Sequence, residues 1–206
     1  AMAGGGARIR LSRVPFASSL PQAPEPLPGE PAVVILGSEG WFPNRDAVSW
    51  FARSAWPVVR ARLPGARLHV FGNWNRILAA DDVSWYAPPE DSRDAFRPGS
   101  VMVVPLRIAS GIRMKILEAW SRGIPVITLP EAAAGLEARD GQEVLLAQNG
   151  EEFAAALARL EEDSGLRSNL LAAGRAALTR WHDPTSAAAR LEDIYLEALG
   201  ERSGEA

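Results

Sequence analysis

The 206-residue chain has no cysteine and only two histidines, His69 and His182. Disulfide frameworks, thiolate metal sites and a cysteine nucleophile are therefore excluded, and a histidine-rich metal centre is not expected. Neither histidine comes with the partners of a hydrolytic triad. A surplus of positive charge is missing as well. With 22 Lys and Arg against 25 Asp and Glu, the net charge is −3, which leaves no electrostatic footprint for nucleic acid. No apolar run reaches the ~18 residues that cross a bilayer, and the N-terminus lacks the apolar core of a secretion signal. The expectation is a cytoplasmic protein without a transmembrane segment. The acidic runs Asp81-Asp82 and Glu161-Glu162-Asp163 are adjacent residues that point different ways, so they suit solvated surface and no metal is expected.

What is present is a globular composition, 47% hydrophobic and 23% charged, in a chain long enough to bury a sizeable core. Six prolines (Pro15, Pro21, Pro24, Pro26, Pro28, Pro31) fall in the first 31 residues beside Gly4-Gly5-Gly6. Such a stretch cannot propagate a helix or fill a central strand, so residues 1–31 read as an extended linker or arm. Residues 32–200 read as one domain and 201–206 as a frayed tail.

From Pro31 onward, short apolar runs alternate with segments of helical spacing. The runs are Ala32–Leu36, Arg67–Phe71, Val83–Tyr86, Val101–Leu106, Pro125–Leu129 and Val144–Ala147, several of them without alternation, as strands covered on both faces require. A first helix is expected over Asn44–Leu63, capped by Pro43-Asn44-Arg45-Asp46 and kinked at Pro57. Others are expected over Arg113–Arg122, Glu151–Asp163, Leu166–Arg180 and Pro184–Leu199. Strands alternating with helices imply an α/β fold, a Rossmann-like doubly wound parallel sheet of about six strands. Ligands of such sheets bind beyond the carboxyl ends of the strands, which selects the loops at Gly37–Asn44, Gly72–Arg76, Tyr86–Asp91, Leu106–Arg113 and Pro130–Leu136.

The segment Pro105–Ala119 carries the strongest chemical signal. A strand ends, the small-residue turn Ala109-Ser110-Gly111 follows, and a helix opens with Arg113 and Lys115 in its first turn. Cations are disfavoured there by ~0.3–1 kcal/mol each, because a helix N-terminus is itself partly positive. A bound anion reverses the sign. Free backbone N–H groups, a glycine that lets the backbone approach, and two cations together suit a phosphate or diphosphate. Glu118, three residues beyond Lys115 on the same face, suits a vicinal diol such as a ribose. The plainer alternative is a solvated helix face with a Lys115–Glu118 ion pair worth ~0.2–0.5 kcal/mol. Elsewhere, Gly37-Ser38-Glu39-Gly40 lacks the full dinucleotide spacing, and Phe71-Gly72-Asn73 puts no acid at the end of the second strand. Both argue against a nicotinamide dehydrogenase.

As an ordered set, these strings resemble the C-terminal, nucleotide-sugar-binding domain of GT-B glycosyltransferases of the group 1, family 4 type. The strings are Gly37-Ser38, Trp41-Phe42-Pro43-Asn44-Arg45-Asp46-Ala47, Trp50-Phe51, Trp56-Pro57, Pro64–Leu68 and Val104-Pro105-Leu106-Arg107. Gly111–Ala119, Gly123–Ile127, Gly135-Leu136 and Gly141-Gln142-Glu143 complete the set. The resemblance implies that Glu118 binds the donor ribose and that Arg113 and Lys115 hold the diphosphate, with Gly111, Arg107, Arg45, Gly37 and Ser38 nearby. It places Tyr86 and Ala87 near the nucleobase. Such enzymes usually retain anomeric configuration and use no metal, and no cofactor is implied, the UDP- or GDP-activated sugar being the substrate. Two departures stand out. The family's second Glu, a sugar contact eight residues before Glu118, is Ser110 here, and the basic residues of the first loop are replaced by Ser38 and Glu39. A GT-B enzyme has two such domains, and an N-terminal, acceptor-binding domain is expected as a partner in the same or another chain. Without it the chain should bind nucleotide and transfer nothing. The alternatives are a non-catalytic GT-B-like interaction module, which Ser110 and the depleted first loop favour, and a sugar-nucleotide epimerase half, for which acid–base groups are few.

Overall fold

A computed structural model describes residues 13–75, 77–109 and 111–203, with side chains described through Leu199. Six strands are present: β1 (Ala32–Leu36), β2 (Arg67–Phe71), β3 (Val83–Tyr86), β4 (Val101–Val104), β5 (Val126–Thr128) and β6 (Leu145–Leu146). They form one all-parallel sheet in the order β3-β2-β1-β4-β5-β6. This is the expected doubly wound, Rossmann-like α/β sheet, in which strand order reverses between β1 and β4.

Burial on both faces follows from the strand sequences. Along β1, Val33 and Ile35 enter one core with Phe51, Trp56, Val59, Leu68 and Phe153. Val34 enters the other with Met102, Ile116, Trp120 and Leu178. The helices covering these faces are α1 (Phe42–Trp50), α2 (Trp56–Arg62), α3 (Met114–Ser121), α4 (Pro130–Ala133), α5 (Gly150–Glu162) and α6 (Ser164–Trp181), and a last helix, α7 (Pro184–Ser203), follows with its described side chains mostly exposed. In the second core, α6 meets α3 at Gly174, where a Cβ would stand 2.6 Å from Trp120 Cδ1. α7 continues three residues past the boundary drawn from the sequence at Gly200.

Two expectations about the first helix need correction. It starts at Phe42, with Trp41 at the N-cap and no side-chain cap hydrogen bond, so Asn44 and Asp46 lie inside the helix. Pro57 also produces no simple kink. A π-helical turn over Phe51–Ala55 joins α1 to α2, and the Trp56 N–H reaches the Phe51 carbonyl five residues back. The wider turn accommodates the missing N–H and the ring of Pro57, which would otherwise crowd the carbonyl four residues earlier.

Residues 13–31 run along the domain without helix or strand. Their donors meet carbonyls that helix ends leave unpaired. Leu20 N donates to Ser121 O at the end of α3 (3.0 Å), and Phe16 N to His182 O after α6 (2.7 Å). The Gln22 amide donates to Arg122 O, and Ala23 is buried. His69, fully buried in β2, fixes the far end: Nε2 donates to Pro28 O at 2.8 Å and Nδ1 accepts from the Tyr86 hydroxyl at 3.0 Å.

Candidate functional site

The reversal of strand order opens a crevice above the carboxyl ends of β1 and β4. Beyond Leu36 the chain turns sharply, because two backbones nearly touch there. Gly72 has φ +147°, and a Cβ on it would stand 1.9 Å from Gly37 O. A Cβ on Gly37 would meet the Asn44 amide at 2.7 Å. Gly37 is thereby fixed as glycine, its N–H bonded to Phe71 O (3.0 Å) and its carbonyl to Trp74 Nε1 (2.7 Å).

Lys115, at the second position of α3, crosses this crevice. Its Nζ donates to Leu36 O at 2.6 Å and to Asn44 Oδ1 at 3.2 Å. The buried Asn44 turns its Nδ2 to Ser38 O at 3.2 Å, tying the β1–α1 loop to the lysine. Burial disfavours the ammonium, and the field of Arg113 adds to this, so the Lys115 pKa is lowered to about 8. Arg113 is the N-cap of α3 rather than a residue of its first turn. It is 6% exposed and its guanidinium folds back on Gly111 O; desolvation lowers its pKa. Gly111 takes φ +74° in open space, so the left-handed turn alone calls for glycine.

Glu118 does not pair with Lys115. Its Oε1 accepts from Arg122 Nε at 2.9 Å and from the Ser92 hydroxyl. Ser92 belongs to a 3₁₀ turn, Ser92–Ala95, that follows β3. The Lys115–Glu118 ion pair considered from the sequence is thus replaced by two separate arrangements, because the β1 end offers the lysine neutral acceptors that lie deeper. Arg107 is held bidentately by Asp46, which raises its pKa, and lies over Trp50. Arg45 is exposed and stacks over Phe42 at 5.5 Å. Tyr86 stacks on Phe71 with ring centroids 4.4 Å apart, and Ala87 beyond it is exposed. Ser38 is exposed at the loop tip. Ser110, the expected sugar contact, lies outside the described residues.

The fold therefore brings Lys115 together with Gly37 and the loop at Ser38, and Glu118 onto the same helix, whereas Arg107 is engaged elsewhere. Three residues around the crevice were missed in the sequence: Asn44, Ser92 and Arg122. Only Arg122 left a local signal there, the i,i+4 spacing from Glu118. Trp41, Phe42, Ile108 and Met114, at this same edge, are 46%, 55%, 48% and 44% exposed. A cavity of about 620 Å³ lies against Arg139, Glu143, Ala177 and Trp181, and none of the expected site residues lines it.

Comparison with known proteins gives the family and the fold. Residues 30–163 match the family Glycosyl transferases group 1. No curated protein matches the chain. Among solved structures, sucrose-phosphate synthase from Thermosynechococcus elongatus superposes with a TM-score of 0.71 at 18% identity, over 93% of this chain and 53% of that one. The C-terminal domain of the group 1 glycosyl transferase LpcC from Francisella tularensis gives 0.65 at 16% identity, over 82% of this chain and 99% of that one. HepE from Anabaena, in complex with UDP-glucose, gives 0.64 at 12% identity, over 81% and 48%. These likenesses show the fold, that of GT-B glycosyltransferases, and the chain spans about half the length of the synthase and of HepE. With 134 consecutive residues matched out of 206, the chain belongs to the group 1 glycosyl transferase family.

Proposed function

We propose that this chain is the donor-binding, C-terminal-type domain of a family 4 glycosyltransferase, taking a UDP- or GDP-activated sugar. The observation that carries the reading is Lys115. An ammonium held, among the described residues, only by neutral oxygens, at the strand-order reversal and in the first turn of a helix, is arranged for an anion. In this reading Lys115 and Arg113 offset the diphosphate charge as the sugar departs, in place of a metal or a cofactor. Gly111, Gly37 and Ser38 supply close backbone approach, and Arg45 is a further cation at the rim. Glu118 takes the ribose hydroxyls, Tyr86 and Ala87 lie toward the base, and Ser110 stands where the family's sugar contact would be. Retention of configuration is supported by the family resemblance. The LpcC domain, matched over nearly its whole length, supports reading the chain as one half of a GT-B pair. Residues 1–31 are then the linker or arm and 32–200 the donor domain. We place it in the cytoplasm on composition; no helix among the described residues is long and apolar enough to cross a membrane. Alone the domain binds nucleotide and transfers nothing, the acceptor side coming from an N-terminal domain in the same or another chain.

The test is calorimetric titration of the chain with UDP, GDP, ADP and dTDP, then of Glu118→Ala with the best binder. Saturable binding of one nucleotide, weakened at least tenfold in the variant, is expected for a charge-assisted contact. Affinity unchanged in the variant refutes the ribose assignment. The exposed edge of Trp41, Phe42, Ile108 and Met114 favours a second reading, a GT-B-like interaction module. That reading predicts no binding of any of the four nucleotides at millimolar concentration.

A further inference from the structure

Arg122 is 7% exposed, and its whole fork is engaged. Nε donates to Glu118 Oε1 at 2.9 Å, Nη2 to Ser92 Oγ at 3.2 Å, and Nη1 to Pro21 O. The Phe96 ring lies beneath the guanidinium at 5.6 Å, and Asp91 is 3.8 Å from Nη2. Its own carbonyl accepts from the Gln22 amide. Three parts of the chain thus meet on one side chain: the C-terminus of α3, the 3₁₀ turn after β3, and the arm at Pro21-Gln22.

Among the described residues, every hydrogen bond to the Glu118 carboxylate falls on Oε1. Oε1 is fixed by two donors while Oε2 is left to accept from a ligand. The Glu118 side chain is only 17% exposed, and the guanidinium lies within hydrogen-bond distance of its Oε1. The guanidinium also donates through Nη2 to Ser92 Oγ, so one rigid group ties together both donors to Oε1, which an ammonium's single nitrogen does not reproduce. We propose that Arg122 is the positioning residue for the ribose contact, holding Glu118 oriented with Oε2 presented to the diol, and that the Pro21 carbonyl of the arm holds Arg122 in turn. The inference rests on the assignment of Glu118 to the ribose and extends it to a residue that touches no ligand.

The test is a thermodynamic cycle on the full chain, using UDP and 2′,3′-dideoxy-UDP, which differ only in the hydroxyls Glu118 would bind. In the wild type the dideoxy compound is expected to bind about tenfold more weakly or worse, the size of hydrogen bonds to a charged group. In Arg122→Met the ratio should fall below about threefold, with Arg122→Lys intermediate. A variant that merely loosens the fold weakens both compounds alike and leaves the ratio intact, and that result overturns the proposal. Glu118→Gln separates the two claims. If it abolishes the ratio while Arg122→Met preserves it, the ribose contact stands and Arg122 has no positioning role. If the wild type does not distinguish the two compounds, the ribose assignment fails and this inference fails with it.

Discussion

Replacing Lys115 by methionine should make the protein more stable and less able to bind nucleotide. The ammonium titrates near 8 in the fold and near 10.5 when unfolded. At 1.36 kcal/mol per pKa unit, holding it charged costs on the order of 3 kcal/mol at neutral pH. The sign follows from proton counts. Between pH ~8 and ~10.5 the unfolded chain binds more protons than the folded one, so stability rises with pH across that window, and below it the cost is fully present. Methionine removes the cost and leaves Leu36 O and Asn44 Oδ1 without a donor, a loss of about 1–3 kcal/mol. The net expectation in urea unfolding at pH 7 is a variant between unchanged and about 2 kcal/mol more stable.

Binding moves the other way. Losing a charge-assisted bond to a diphosphate costs about 1.5–3 kcal/mol, a ten- to hundredfold weaker Kd for UDP by calorimetry. The wild-type affinity should itself fall about tenfold from pH 7 to pH 9 as the lysine discharges. The terminal phosphate does not confuse the profile, since its second ionisation near pH ~6 is complete by then. In Lys115→Met the alkaline fall disappears. A variant that binds UDP like the wild type, or a wild-type profile flat between pH 7 and 9, refutes the reasoning.

Two further outcomes concern stability. Gly174→Ala puts a Cβ 2.6 Å from Trp120 Cδ1, and overpacking of that kind should lower unfolding free energy by about 1–3 kcal/mol in urea. His69 is buried and neutral, and desolvation lowers its pKa, so stability is complete above its unfolded value of about 6.5 and declines as pH falls below that. The urea midpoint should drop from pH 7 to pH 5, and a drop as steep in His69→Gln would show that other groups are responsible.

β1, β2 and β3 have the boundaries read from the sequence because each is a short apolar run between breakers, and burial on both faces needs nothing more. The π-helical turn before Pro57 was not legible, since helical periodicity does not distinguish a kink from one widened turn. The short helix Pro130–Ala133 was hidden in what reads as a loop. At the site, Gly111, Arg113, Lys115 and Glu118 could be read together because they share one turn and one helix. The contacts that set their charges could not. Lys115 meets Asn44 across 71 residues, and Arg107 meets Asp46 across 61. Nothing local in the sequence distinguishes an asparagine that caps a helix from one that reaches back to a loop carbonyl.

These contacts decide which cations are available to a ligand. Arg107 is matched by Asp46 and Arg122 by Glu118, so each pair contributes little net field at a distance. Lys115 is held by a carbonyl and an amide oxygen, dipoles that orient the ammonium without cancelling its charge. On the donor-binding reading, an incoming diphosphate breaks no ion pair to reach it, and the desolvation cost has already been met in the folded state. This is electrostatic preorganisation, with the dipoles fixed by Gly37, whose missing Cβ makes room for the Asn44 amide. A lysine facing a carboxylate would be more comfortable in the free protein and of less use to an anion.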